Sequence, residues 1–229
     1  MKEMLLAEGL ALDSDLARDR EEADTGDREI LTWLPPAFPS SSQFSGVVHH
    51  VDWEGRLWVT SHPEGTRETF RIDSSLLATS LTRESEEGLS LTDWRAGEAC
   101  LSRYLSGPGW HRATVLENTT SHSVRLRFLD YGTEVVTHKD GLRRNISFQG
   151  VPAQSFPVRL NVRPSSTKWE EKALRFLHET VVDRLARFQV LEPHSEGWLV
   201  NMDLPGLPNI GQFLAQKGFC IEGDQVVDK

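Results

Sequence analysis

Short apolar runs, separated by turn residues every eight to twelve positions, dominate the chain between residues 96 and 148. Within one of these runs Val124, Leu126 and Phe128 are apolar, and the two residues between them are arginines. An alternation of this kind is typical of a strand with one buried face. Repeated short strands with regularly spaced turns indicate a small barrel. The predicted barrel strands are Ala99–Tyr104, Trp110–Leu116, Val124–Leu129 and Glu134–Thr137.

Further strands are predicted on both sides of this barrel. Residues 44–51 and 56–60 are rich in β-branched and aromatic residues, and residues 52–55 have the composition of a turn. This pattern predicts a hairpin. A shorter strand is expected near Phe70. After the barrel, strands are predicted over residues 155–162, 187–191 and 198–202.

Helices are predicted at four places along the chain. Residues 1–24 are rich in Leu, Ala, Glu and Asp, residues 74–81 follow a Ser-Ser start, and residues 209–217 form the last helix. The sequence Thr-Lys-Trp-Glu at residues 167–170 matches a capping box, so a helix is expected to begin there. The pattern as a whole predicts a β-rich fold with a few packing helices.

The composition agrees with a globular protein that has an uneven charge. The chain has 229 residues, of which 38% are hydrophobic and 26% charged, and its net charge is −9. Residues 1–30 contain ten acidic and four basic residues, whereas residues 95–150 contain eight basic and five acidic ones. An acidic chain is a poor non-specific ligand for phosphates, but the basic middle segment leaves nucleic-acid binding open.

Cysteine usage and the N-terminal residues indicate a reducing compartment. Cys100 and Cys220 lie far apart in the sequence, so a structural disulfide is not expected, and Cys100 is expected in the core. No apolar run is long enough to span a membrane. Residues 1–13 are too acidic for a secretory signal, and we therefore expect a cytoplasmic location.

Three aromatic residues lie where predicted strands end. Phe128 and Tyr131 flank a bend, and Tyr104 precedes a Gly-Pro-Gly loop. Aromatic rings at a shared rim can present their π faces to a cation, which is worth about 0.5–2 kcal/mol per contact. Arginine suits such a slot because its guanidinium is planar, and methylation leaves its charge in place. Each ring taken alone could instead belong to the barrel core, where aromatic residues usually lie.

Two segments resemble the signature of the Tudor family, in which a Trp-Tyr-Arg-Ala strand is followed by Phe-Ile-Asp-Tyr-Gly-Asn. The matching residues are Trp110-His111-Arg112-Ala113 and Phe128-Leu129-Asp130-Tyr131-Gly132-Thr133. Residues 97–100 and 154–164 are similar to the barrel entry and exit of the extended Tudor subclass. The resemblance covers about residues 40 to 222. It implies a mainly β, α+β fold in which an SH3-like Tudor barrel is embedded in a split OB-like, staphylococcal-nuclease-like domain.

The resemblance also implies boundaries along the chain. We expect an acidic helical segment over 1–30, a linker and the first part of the OB-like half over 31–94, the Tudor barrel over 95–150, the second part over 151–222 and a tail over 223–229. Residues 4–13 are similar to residues 213–222, since both end an apolar helix with Gly. Residues 1–30 are therefore either an unrelated helix or the end of a preceding module in a tandem array.

An aromatic pocket for arginine follows from the resemblance. The family's pocket positions are occupied here by Tyr104, His111, Phe128, Tyr131 and Thr133. His111 stands where the family has Tyr, and Thr133 stands where it has an Asn that bonds the arginine, so the methylation preference stays open. Arg112 and Asp130 are expected to form a structural charge pair that supports the barrel.

The implied function is that of a non-catalytic reader for Arg-Gly-rich tails of partner proteins, methylated or not. The resemblance further implies PIWI-class partners, the piRNA pathway of spermatogenesis and cytoplasmic RNA granules of germ cells. One alternative is an RNA-binding module that uses the OB-like half and the basic middle segment. Another is a degenerate Tudor module that serves only protein–protein scaffolding.

Catalysis, a metal and a cofactor are not expected. The sequence has no nucleophile motif and no Gly-rich phosphate loop, and a nuclease-like fold does not imply activity. The nearest metal-like string is His49-His50-Val51-Asp52. Adjacent side chains of a regular strand point to opposite faces, so His49 and His50 are expected to be ordinary surface histidines.

Overall fold

The structure of the chain is a computed structural model that describes residues 28–62, 81, 93–103, 109–144, 148–193 and 197–223. The chain divides into two compact units, residues 1–31 and 32–229, and all described strands and helices belong to the second. Three predicted elements lie outside the described residues. They are the helix over residues 1–24, the strand near Phe70 and, apart from Leu81, the helix over residues 74–81.

Within the described residues the second unit forms eleven strands, two α-helices and a short 3-10 turn at Lys139–Gly141. The first six strands are β1 (Gln43–Val51), β2 (Arg56–His62), β3 (Ala99–Arg103), β4 (Trp110–Asn118), β5 (Ser123–Phe128) and β6 (Glu134–His138). The others are β7 (Phe156–Leu160), β8 (Val162–Pro164), β9 (Leu185–Glu192), β10 (Trp198–Asp203) and β11 (Cys220–Glu222). The helices are α1 (Glu171–Val181) and α2 (Ile210–Gln216).

Five strands close into a barrel in the order β1-β2-β7-β10-β9, which we call the OB-like barrel. Strands β7 and β10 are parallel, and the other neighbours are antiparallel. The chain leaves this barrel after β2 and returns with β7, so the barrel is split in the sequence. Its buried core includes Phe44, Val48, Leu57, Val59, Phe156, Val158, Leu177, Phe188, Val200, Met202 and Leu214. The predicted mainly β fold with a split barrel is confirmed.

Between β2 and β7 the chain forms a second, antiparallel sheet in the order β3-β4-β5-β6, which we call the inserted sheet. Leu101 of β3 also bridges Arg143 through two backbone hydrogen bonds of 2.8 and 3.0 Å. Every second residue of β5 is buried, as the alternation predicts. The core of this sheet consists of Trp94, Cys100, Ala113, Val115, Val124, Leu126, Phe128 and Leu142.

The two helices contribute buried residues to the core of the OB-like barrel, and one of them begins as predicted. Helix α2 follows Asn209, whose side chain accepts a 3.0 Å hydrogen bond from the Gln212 N–H. The capping box predicted for α1 is wrong, because its N-cap is Glu170 and that side chain makes no capping bond. Trp169 instead packs against Gly55 of the β1–β2 turn. No helix among the described residues is long and apolar enough to cross a membrane.

Candidate functional site

Three of the predicted pocket residues meet at one end of the inserted sheet. His111 lies near the start of β4, Phe128 ends β5, and Tyr131 lies in the turn that follows. The His111 ring meets the Tyr131 ring edge-on, with centroids 5.5 Å apart and planes at 69°. It meets the Phe128 ring at 6.3 Å and 88°. Such edge-to-face pairs are favourable for aromatic rings. Tyr104, the fourth predicted aromatic residue, lies outside the described residues.

Phe128 has a different place from the one the resemblance implies. Its side chain is 0% exposed and belongs to the core of the inserted sheet, on the same face of β5 as Val124 and Leu126. In this position it supports the His111 ring and offers no surface of its own to a ligand. Tyr131 and His111 are half-buried, and they supply the accessible aromatic surface at this end of the described sheet.

The turn that carries Tyr131 is fixed by a glycine. Gly132 has a φ of +79°, which favours glycine, and its N–H donates to the Phe128 carbonyl at 2.8 Å. The Thr133 carbonyl accepts a 2.9 Å bond from the Phe128 N–H. A Cβ on Gly132 would overlap the ring of Trp58 in β2. The turn therefore packs directly against the OB-like barrel, and this packing sets the position of Tyr131.

Burial favours the uncharged form of His111. Burial lowers the pKa of its imidazole below the ordinary value of 6.5, and the nearby Asp130 carboxylate raises it by a smaller amount. A protonated imidazole beside Tyr131 would repel a cation, whereas a neutral one presents an aromatic edge. The His111–Tyr131 surface is thus electrostatically compatible with a positively charged guest.

Arg112 and Asp130 form a buried ion pair next to this surface. The Arg112 side chain is 0% exposed, and its Nε and Nη2 donate to the Asp130 carboxylate at 3.1 and 2.7 Å. Arg112 also donates to the carbonyls of Val151 at 2.6 Å and Pro152 at 3.0 Å. The Gln154 N–H donates to Asp130 at 3.0 Å. A buried pair surrounded by further hydrogen bonds avoids uncompensated charge. The pair ties β4 to the Tyr131 turn and to the segment that leads into β7.

Most arginines of the basic middle segment are paired with acids. Besides Arg112–Asp130, the ion pairs are Arg95–Asp93, Arg125–Glu117, Arg125–Glu134, Arg127–Glu134 and Arg144–Glu98. Arg103 and Arg143 differ, since their guanidinium carbons lie 5.4 and 5.5 Å from the ring centroid of Trp110. Among the described residues no acidic side chain forms an ion pair with either of them. Within the described part of this segment, Arg103 and Arg143 are therefore the arginines that lie open to phosphate.

The sequence interpretation missed a histidine of the OB-like barrel. The His49 ring meets the Tyr131 ring edge-on, with centroids 6.0 Å apart and planes at 84°. The pairing of β1 with β2 shifts register between Val48 and His50, so His49 lies in a β-bulge. The bulge interrupts the alternation of β1, whose buried positions resume only at Val51. The regular alternation from which His49 and His50 were expected to point to opposite faces is therefore interrupted at this place.

Around the two histidines, the described residues do not provide a metal centre. Burial lowers the pKa of His50, and the Asp52 carboxylate opposes that shift. Within the part of the chain that the structure describes, no group of three His, Cys, Asp or Glu side chains is placed to hold a metal ion. Both cysteines are free and buried, and burial raises the pKa of Cys220 to about 11.

Sequence comparisons connect the chain to known proteins. The Tudor domain family model matches residues 38–162. Mouse RING finger protein 17 is 25% identical over 201 residues, and mouse Tudor domain-containing protein 1 is 27% identical over 138 residues. These alignments cover 85% and 58% of this chain but 12% of each relative, so the chain spans a small part of the length of both.

Solved structures of extended Tudor domains have the same fold. Domain TD3 of mouse TDRD1, in complex with a MILI peptide containing dimethylarginine, gives a TM-score of 0.71 at 22% identity over 85% of this chain and 100% of that one. The extended Tudor domain of Drosophila melanogaster Tudor-SN gives 0.66 at 17% identity over 82% and 87%. A Drosophila melanogaster Papi domain in complex with a Piwi N-terminal peptide gives 0.62 at 17% over 80% and 100%.

Proposed function

The chain belongs to the Tudor domain family, and we propose that it is a non-catalytic reader that binds an arginine side chain of a partner protein. The observation that carries this proposal is the contact of Tyr131 with the half-buried, uncharged His111 at the end of the inserted sheet. A guanidinium is planar and weakly hydrated, so it stacks well on aromatic surfaces that carry no positive charge.

Each predicted pocket residue has a distinct role in the proposal. Tyr131 and His111 are the walls, and Phe128 supports His111 from the core. Tyr104, in the segment after β3, is proposed as a further wall. Thr133 follows the Tyr131 turn. Its hydroxyl is shorter than the side-chain amide of the Asn that the family signature has at this position. The guest is therefore held by stacking more than by hydrogen bonds.

We propose that the pocket accepts arginine with or without methyl groups. Methylation keeps the charge of the guanidinium but removes N–H donors and adds apolar surface. Since Thr133 presents a hydroxyl and no amide, few donors of the guest are used, and losing them costs little. The added apolar surface contacts Tyr131 and His111. Stacking on Tyr131 and His111, together with the Thr133 hydroxyl, should by itself discriminate only weakly between methylation states.

The proposed partners are Arg-Gly-rich tails of PIWI-class proteins, and the proposed setting is the piRNA pathway in cytoplasmic granules of germ cells. Support comes from the structural neighbours, since the mouse TDRD1 domain was solved with a MILI peptide and the Papi domain with a Piwi peptide. In this arrangement residues 95–150 supply the pocket. Residues 31–94 and 151–222 supply the OB-like half along which the tail lies.

Calorimetric titration with Arg-Gly peptides carrying no, one or two methyl groups tests the proposal. The wild-type chain should bind all three, and Tyr131→Ala should weaken binding by about tenfold or more, because it removes a cation–π wall. His122→Ala is the matched control, since His122 is exposed in the β4–β5 turn. Unchanged binding in Tyr131→Ala contradicts the assigned pocket. A wild-type chain that binds none of the peptides supports the degenerate scaffold instead.

RNA contact is the second candidate function. Arg103 and Arg143 on the Trp110 ring favour it, because two guanidinium groups without an acidic partner among the described residues can contact phosphate. The pairing of the other arginines with acids makes it the weaker candidate. The two activities would use different residues and are therefore separable by mutation.

A further inference from the structure

Tyr131 lies between two imidazole rings that come from different halves of the structure. His111 belongs to β4 of the inserted sheet and lies 5.5 Å from Tyr131 between ring centroids. His49 belongs to β1 of the OB-like barrel and lies 6.0 Å away, with its plane at 84° to the phenol ring. The principal wall of the proposed pocket is thus contacted by both halves.

His49 lies at a local irregularity of the OB-like barrel. Strand β1 pairs Val48 with Val59 and then His50 with Trp58, which leaves His49 as the extra residue of a bulge. A bulge bends its strand and re-aims a side chain, and bulges are common beside functional sites. His49 continues the outward-facing positions Ser45 and Val47, so its side chain lies outside the barrel core.

A hydrogen bond then holds the His49 ring. Its Nε2 lies 2.8 Å from the Oγ1 of Thr60, a residue that is 7% exposed and pairs with Val47 across β1 and β2. Which of the two groups donates depends on the imidazole tautomer. A bond to a buried hydroxyl restricts the rotation of the ring, so His49 presents a fixed edge to Tyr131.

We propose that His49 is a positioning and specificity-determining residue of the arginine pocket, held by Thr60 so that it fixes the angle of the Tyr131 ring. This rests on the proposed function, and it adds that the pocket is composite. Because His49 limits the movement of Tyr131, it narrows the slot and favours the slim unmethylated guanidinium over its bulkier dimethylated form.

Three variants of the full chain separate the ring contact from the hydrogen bond. His49→Ala removes both, His49→Phe keeps a ring without the bond, and Thr60→Val removes the bonding hydroxyl. His49→Ala should weaken binding of the unmethylated Arg-Gly peptide roughly three- to tenfold, in the range of an aromatic pair. The same variant should weaken binding of the symmetrically dimethylated peptide less. The affinity for the dimethylated peptide should therefore rise relative to the affinity for the unmethylated one. His49→Phe should recover most of the affinity, and Thr60→Val should lie between.

The inference would be overturned if His49→Ala and His122→Ala bound both peptides with equal affinities, and hence with the same ratio of dimethylated to unmethylated affinity, while Tyr131→Ala lost binding. That pattern would leave the proposed function intact. A wild-type chain that binds no peptide would contradict the proposed function itself. In that case the role of His49 is decided by the ring resonances of the tyrosines, measured without a ligand. The chain has two tyrosines, so selective labelling gives two sets of ring resonances. His49→Ala should shift the Tyr131 set, and unshifted Tyr131 resonances would refute the positioning role.

Discussion

Gly132 lies against the indole ring of Trp58, and this contact joins the turn that carries Tyr131 to the second strand of the OB-like barrel. Trp58 is buried, and the Cζ atom of Arg127 lies 4.9 Å from the centroid of its ring. The barrel therefore does more than flank the inserted sheet, because it determines where the Tyr131 ring stands. Changes at this junction should disturb binding even when they do not touch the guest.

Gly132→Ala tests that junction. The backbone φ of +79° costs an L residue about 1–2 kcal/mol, and overlap with Trp58 adds about 1–3 kcal/mol. The free energy of unfolding should fall by roughly the sum, and arginine-peptide binding should weaken. The matched control is Gly206→Ala, with a φ of +78° and no described atom within 4 Å of the new Cβ. Equal losses of stability in urea unfolding of both variants would show that Trp58 does not restrict the turn.

Breaking the buried ion pair should be costly. Arg112→Met leaves the Asp130 carboxylate buried without its cation and leaves the Val151 and Pro152 carbonyls without a donor. We expect a loss of about 3–5 kcal/mol in the free energy of unfolding. Arg125→Met is the control, because the Arg125 side chain is 40% exposed and its pairs with Glu117 and Glu134 should together contribute at most about 1 kcal/mol. Urea unfolding curves measure both, and similar midpoints would contradict the structural role of Arg112.

Acid should weaken both folding and binding through His111. Its folded pKa is below 6.5, so as the pH falls through 6.5 the unfolded chain takes up a proton before the folded chain does. Stability is fully present above that pH and decreases until the pH reaches the folded value. Burial lowers the pKa of His50 too, so it contributes to the same loss of stability.

Peptide affinity reports His111 more selectively than stability does. Protonation places a positive charge beside the guanidinium, so affinity should fall as the pH is lowered through the folded pKa of His111. His111→Tyr removes this titration and restores the residue of the family signature. Titrations between about pH 5 and pH 7.5 should show a flatter profile in the variant than in the wild type. Parallel profiles would mean that His111 does not face the guest.

Mutation of the arginine pair on Trp110 should reduce RNA binding and leave peptide binding unchanged. Replacing both Arg103 and Arg143 by Glu removes two cations without an acidic partner among the described residues. Any binding of single-stranded RNA by the wild-type chain should disappear in the variant. In the wild type, the logarithm of the RNA binding constant should fall with the logarithm of salt concentration with a slope of about −1.4, as expected for two phosphate contacts. Arg-Gly peptide affinity should stay within about twofold of wild type in the same buffer. Loss of peptide binding would place part of the partner's path across Trp110.

The strands could be predicted from the sequence because their alternation is strong and local. Val124, Leu126 and Phe128 face the core of the inserted sheet as their spacing predicts. The same alternation places Phe128 in that core, which the pocket resemblance did not take into account. The pairing of Arg112 with Asp130 was expected from the resemblance, whereas its carbonyl partners depend on the chain path after residue 148 and could not be predicted.

Features that depend on contacts between residues far apart in the sequence could not be predicted from the sequence. The capping box at residues 167–170 was misleading, since the N-cap of α1 is Glu170 without a capping bond, and Trp169 packs against Gly55, which is distant in the sequence. The contact of His49 with Tyr131 joins residues that are far apart in the sequence, and nothing in the His-His-Val-Asp string indicates it. Gly132 was part of the recognised signature, but its contact with Trp58 requires the two halves to be assembled.

Nuclear Overhauser measurements on a complex with a dimethylarginine peptide test the central claim most directly. The guest's methyl protons should show contacts to the rings of Tyr131 and His111, and none to the side chains of Trp110, Arg103 and Arg143. Tyr131→Ala should abolish these contacts, while His122→Ala should leave them unchanged. Methyl contacts that map to another surface, or that persist without the Tyr131 ring, would contradict an arginine pocket at this end of the inserted sheet.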